Sequence, residues 1–255
     1  GVGRDTELDG QPTAAASGDD TDANGDDEDG VVFDSPLVPG QTADLTVTAS
    51  ATGVLNAWID WNRDGDWSDP GEQVFTDRSL TAGANALPIA VPATATATEG
   101  GPPTFARFRL DGAGGLTFNG PAPDGEVEDY AITVRKGDIR VLTATGGGGT
   151  TLQVTYVIEG SIPAFDFGFF VSADPFLDPS DTQLGTATVG DPADRSIGAH
   201  TKLFTIGTGP GAVSLPGAGV AETNGEYYVL VVADPGNVVA EHDADQVQED
   251  NTAPL

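Results

Sequence analysis

Between Trp58 and Glu72 the chain reads Trp-Ile-Asp-Trp-Asn-Arg-Asp-Gly-Asp-Trp-Ser-Asp-Pro-Gly-Glu, with side-chain oxygens at alternate positions on Asp60, Asn62, Asp64 and Asp66. Hard cations such as calcium are bound by clusters of carboxylate and amide oxygens at this kind of spacing. Gly65 stands where such a loop turns most sharply, a place that favours the one residue with no steric cost at positive φ. Counted from Asp60, an EF-hand would carry its bidentate glutamate at the twelfth position. That position is Gly71 and the acid is Glu72, so the helix-loop-helix form is excluded. The expectation is a calcium loop on a β scaffold, with Asp60, Asn62, Asp64, Asp66 and Glu72 as ligands. A plain hairpin turn is the simpler reading, because Asp-Gly is a favoured turn dipeptide.

A second acidic run, Gly18-Asp-Asp-Thr-Asp-Ala-Asn-Gly-Asp-Asp-Glu-Asp-Gly30, lies in a segment (1–34) with eleven carboxylates and one arginine, Arg4. Its composition is that of a disordered, solvated tail. Bound cations would order it, with Asp20, Asp22, Asn24, Asp26, Asp27, Glu28 and Asp29 as the candidate ligands. A third cluster, Glu126, Glu128 and Asp129, follows Pro123-Asp124-Gly125. Acids this dense need compensation, and either calcium or the arginines of Phe105-Ala-Arg-Phe-Arg-Leu110 would supply it. Alternation in that strand sends Ala106, Phe108 and Leu110 to one face, leaving Arg107 and Arg109 to face solvent or a carboxylate.

The elements that position these groups are strands. Short runs bounded by Gly, Pro and Asp cover Ala43–Ser50, Val54–Asn62, Gln73–Thr76, Ala86–Val91, Phe105–Leu110 and Asp129–Val134. A second series covers Ile139–Thr145, Thr151–Glu159, Phe165–Ala173, Thr186–Val189, Thr201–Gly207 and Glu226–Ala233, and no segment sustains a helical period. The expected fold is all-β: two tandem β-sandwiches of jelly-roll or immunoglobulin-like type, over 31–135 and 138–255, behind an extended acidic segment. The junction falls at Lys136–Asp138. Gly146–Gly149 is a turn and no phosphate loop, since neither a helix pattern nor Lys-Ser/Thr follows it.

Forty acidic against ten basic residues give a net charge of −30, which excludes nucleic acid and anionic membrane surfaces as natural partners. The same acidity also fits a protein adapted to high salt. With no cysteine there are no disulfides or thiolate sites. No apolar run reaches the roughly 20 residues of a membrane span. A start at Gly1 without methionine leads us to expect a processed, extracellular chain whose signal peptide has been removed. Metalloprotease, nucleophile-elbow and Walker signatures are absent, and catalysis is not expected.

Leu55-Asn-Ala-Trp-Ile-Asp-Trp-Asn-Arg-Asp-Gly-Asp-Trp67, Gly71-Glu-Gln-Val-Phe75, Ala106-Arg-Phe-Arg-Leu110 and Pro123-Asp-Gly-Glu-Val-Glu-Asp-Tyr130 together resemble the GEVED domain. Those are β-rich modules of large secreted and surface proteins of bacteria. With the opener Asp26-Asp-Glu-Asp-Gly-Val31, the resemblance covers about residues 1–135. Residues 138–255 resemble the CARDB family, an immunoglobulin-like adhesion module, through Val154–Ile158, Phe167–Asp174, Asp181–Gly185 and Tyr227–Asp243. That family continues into a closing strand, which here looks short or missing and would leave an open sheet edge.

Asp174, Asp178 and Asp181 form a loop that turn chemistry explains, and Asp234, Asn237, Glu241, Asp243 and Asp245 form another with irregular spacing. Together these readings imply a secreted, calcium-stabilised structural or adhesive protein. Its copies are expected to self-associate through β-strand edges into a filament or surface layer. The alternative is an accessory module of a larger secreted protein, holding cell-surface glycans through Trp58, Trp61 and Trp67.

Overall fold

The structure is a computed structural model and describes residues 30–120, 126–146, 151–207, 212–213, 228–242 and 252–254, with the side chains of Glu126 and of 252–254 outside the description. The candidate ligands Asp20, Asp22, Asn24, Asp26, Asp27, Glu28 and Asp29 lie outside the described residues, as do Asp243 and Asp245. The chain divides into two compact units, Gly1–Arg135 and Lys136–Leu255.

The first unit contains β1 (Val31–Phe33), β2 (Thr42–Ala49), β3 (Gly53–Ile59), β4 (Gln73–Leu80), β5 (Gly83–Ala90), β6 (Thr104–Asp111) and β7 (Glu126–Ile132). They form two antiparallel sheets, β1-β2-β5 and β4-β3-β6-β7. Period-two patterning puts Ala43, Leu45, Val47 and Ala49 of β2 inside, where they meet Leu55, Ala57 and Ile59 of β3 and Ala106 and Phe108 of β6 in one core. Pro88, which has no N–H to give a ladder, sits on the outer strand β5 where none is needed. β3 ends at Ile59, three residues before the expected Asn62. The Asp60 N–H still reaches the Phe105 carbonyl of β6; beyond it the loop side chains capture local backbone N–H groups and the ladder stops.

The second unit contains β8 (Asp138–Gly146), β9 (Thr151–Glu159), β10 (Phe165–Ser172), β11 (Thr182–Val189), β12 (Gly198–Ile206), β13 (Ala212–Val213), β14 (Tyr228–Ala233) and β15 (Thr252–Pro254). Its sheets run β13-β12-β9-β8 and β11-β10-β14-β15, the two-layer arrangement of an immunoglobulin-like sandwich. Leu152, Val154, Tyr156 and Ile158 alternate inward from β9 and meet Phe165, Phe167 and Phe169 of β10 across the core. The closing strand is present but short: three residues pair with Leu230–Val232. β11 begins at Thr182, earlier than expected, because Thr182-Gln-Leu-Gly185 has no clear period and is recruited by pairing with β10 across a bulge. Among the described residues the only helical segment is a 3-10 turn at Pro192–Arg195.

Candidate functional site

The loop joining β3 to β4 is folded by its own carboxylates. Asp60 Oδ1 accepts the Arg63 N–H at 2.6 Å and Oδ2 accepts the Gly65 N–H at 3.2 Å. Gly65 has φ +91, so the glycine is required for the turn that brings its N–H back to Asp60. Further along, Asp64 accepts the Asp66 N–H, Asp66 accepts both the N–H and the hydroxyl of Ser68, and Glu72 Oε2 accepts the Asp69 N–H at 3.1 Å.

This folding brings one carboxylate oxygen each from Asp60, Asp64 and Glu72 within 4.8 Å of one another. Asp60 and Glu72 are each only 2% exposed, while Asp64 faces solvent. Glu72 Oε1 is fully buried and has no hydrogen-bond partner. Among the described residues no lysine or arginine pairs with any of the three. An unpartnered buried carboxylate oxygen is costly, and three like charges so close raise the cost further. Burial pushes the Glu72 carboxyl up to about 7, with Asp60, Asp69 and Asp64 adding to the effect against the Asp69 N–H. Burial likewise pushes Asp60 up, against the N–H groups of Arg63 and Gly65. The donor set is all oxygen, which fits a hard divalent cation.

The expected ligands separate into roles. Asp60, Asp64 and Glu72 form the close carboxylate cluster. Asp66 belongs to a second, more exposed group with Asp64 and Asp69. Asn62 braces the carboxylates, its amide nitrogen donating to Asp69 Oδ2 at 2.7 Å and Asp64 Oδ2 at 3.2 Å. Asp69 was not among the expected ligands, because it falls off the alternate-residue spacing. The Asp-Pro-Gly turn that aims its N–H at Glu72 was the available signal.

Arg107 and Arg109 do not reach solvent, as the strand alternation allowed; both are 0% exposed. Residues 112–120 fold back over their face of β6, and carbonyl oxygens take the place of water. Arg109 donates to the carbonyls of Thr117, Asn119 and Gly120, and Arg107 Nη1 to that of Phe118 at 3.0 Å. Register sets Arg107 opposite Asp129 on β7, where Nε and Nη2 reach the two carboxylate oxygens at 2.7 and 2.6 Å. Of the two compensations open for this acidic cluster, Asp129 thus has arginine. Glu128 accepts the Tyr130 hydroxyl at 2.8 Å, and the Tyr130 oxygen in turn accepts the Val31 N–H.

The two motifs touch. Trp67, in the middle of the carboxylate loop, lies with its ring 4.7 Å from the Arg107 guanidinium carbon and packs on Phe118 at 6.3 Å. Between the carboxylate loop and Leu116, Thr117 and Phe118 runs a cleft of about 440 Å³. In the second unit, Asp174 and Asp178 close turns onto Phe176 N and Ser180 N, as turn chemistry predicts, and Asp234 accepts the Val239 N–H.

Residues 54–133 match the GEVED domain family, and this span holds both the carboxylate loop and the Arg107–Asp129 pair. The GEVED domain occurs in extracellular and surface proteins and is compatible with an accessory module. The expected kinship of 138–255 with the CARDB family has no such match behind it. No curated protein matches the chain. Among the described residues no helix is long and apolar enough to cross a membrane.

Proposed function

We propose that the chain is a secreted structural or adhesive surface protein whose first sandwich is clamped by calcium at Asp60, Asp64 and Glu72. Glu72 carries the reading: a buried carboxylate oxygen with no hydrogen-bond partner, inside a cluster of like charges, is what a site built for a cation leaves behind. Calcium would take the three carboxylates, and water on the exposed Asp64 side would complete its six to eight oxygens. The GEVED match supports the extracellular setting, and catalysis has no support in the motifs. In this reading the bound cations also offset part of the −30 charge that opposes association of copies through strand edges. The glycan alternative is less well supported, since Trp58, Trp61 and Trp67 are only 2–4% exposed, although Trp58 and Trp67 border the cleft beside Phe118.

Thermal melts with calcium and with chelator, alongside micrographs of the particles, test the proposal. At calcium a hundredfold above its Kd, linkage adds about 2.7 kcal/mol. For a unit of this size that raises Tm by roughly 10–20 °C. Glu72→Gln should lose most of the shift. Equal melting and unchanged particles with calcium and with chelator, in low salt, would refute it.

A further inference from the structure

The carboxylate loop does not stand alone: Trp61 enters the core of the first unit, and Trp67 packs on the arginine face of β6. Trp67 is 2% exposed, and its ring is shared between the Arg107 guanidinium and the Phe118 ring. Phe118 also meets Trp58 of β3 at 6.4 Å. The backbone around Phe118 is in turn held by Arg107 and Arg109, which donate to the carbonyls of 117–120. The stretch around Phe118 is therefore held by the two arginines and the two tryptophans, while Asp111 and Asp77 accept the N–H groups of Gly114 and Gly115 at its start. It has no strand pairing of its own, so local opening is the low-cost motion available to it.

We infer that Trp67 couples the cation cage to residues 112–120, so that loading the cage closes this segment over Arg107 and Arg109 and fixes the cleft between the two loops. The inference rests on the cation reading above. The physical path is short and continuous. A cation pulls Asp60, Asp64 and Glu72 together and sets the course of 60–72. That course places the Trp67 ring on Arg107 and Phe118, and the segment gains a second aromatic contact beside that of Trp58. With the cage empty, repulsion among the carboxylates loosens 60–72, Trp67 loses its fixed place, and the arginines and Trp58 hold 112–120 without the Trp67 ring. Trp67 is a positioning residue in this scheme and touches no cation.

The test is hydrogen exchange on the full chain with calcium and with chelator, with calorimetric titration reporting binding separately. If opening of 112–120 requires an empty cage, calcium at a hundredfold above its Kd slows exchange there by about a hundredfold, in step with 60–72. Trp67→Ala should keep calcium binding and the slowing in 60–72 while losing it in 112–120. Should Trp67→Ala fail to fold, Phe118→Ala removes the other half of the contact and is expected to uncouple the segments in the same way. Calcium binding that slows 60–72 and leaves 112–120 unchanged overturns the coupling and spares the cation site. Slowing that persists in full in the variant overturns the role of Trp67. No calcium binding at all overturns the site and the coupling together.

Discussion

Glu72 holds an acid at the inner end of the carboxylate loop with its pKa pushed up to about 7 from a usual value near 4.5. Because the folded value lies above the unfolded one, the cation-free fold binds a proton more tightly than the unfolded chain. Its contribution to stability is therefore full below about pH 4.5 and is lost as pH rises through 7. In chelator, melts between pH 5 and 8 should show the first unit losing stability across this window, and Glu72→Gln should flatten the trend. With calcium the slope reverses, since the cation needs the ionised carboxylate and binds more tightly at pH 8 than at pH 6. Gly65 gives a second test at this scale. Its φ of +91 makes Gly65→Ala strained, at a cost of about 1–2 kcal/mol, and calcium affinity measured by titration should fall with it.

The pairing of β6 with β7 shows how far strand patterning reads and where it stops. Alternation in Phe105–Leu110 separates Phe108 from Arg107 and Arg109 correctly, and the acids of 126–129 offer a partner. What the pattern could not show is that 112–120 doubles back to cover the arginine face, because nothing in Gly112-Ala-Gly-Gly-Leu-Thr-Phe-Asn-Gly120 marks carbonyls that will replace water. Arg107 and Asp129 consequently form an ion pair with 0% side-chain exposure on both partners. Asp129→Ala leaves a buried guanidinium uncompensated and should cost about 3–5 kcal/mol in urea unfolding of the first unit, far more than an exposed pair. The carboxylate loop was legible for a simpler reason: its acids are close in sequence, so spacing alone brings Asp60 and Asp64 together. Glu72 joins these carboxylates because β4 returns beside β3, with the Ile59 N–H on the Glu72 carbonyl at 2.9 Å, and that pairing follows the hairpin logic of the sequence. Asp69 lay outside the expected set because its role comes from a turn and has no periodic signature.

At the scale of the whole molecule, two cores that share no residue predict two unfolding events. Scanning calorimetry should resolve two transitions, and calcium should move the one belonging to the first unit while leaving that of the second in place. Movement of both by the same amount would contradict a clamp confined to 60–72. The surface charge gives a separate lever: added monovalent salt screens −30 and should stabilise both units. The covalent lifetime of the chain is touched by the same loop. Asp64-Gly65 is the kind of peptide unit at which a side-chain carboxyl closes on the following nitrogen, and the backbone then reopens with an isomerised linkage. Here that nitrogen donates to Asp60, while the Asp64 oxygens are taken by Asn62 and by the Asp66 N–H. Nucleophile and electrophile are thus held in separate hydrogen bonds, and the folded loop should age more slowly than the same peptide set free.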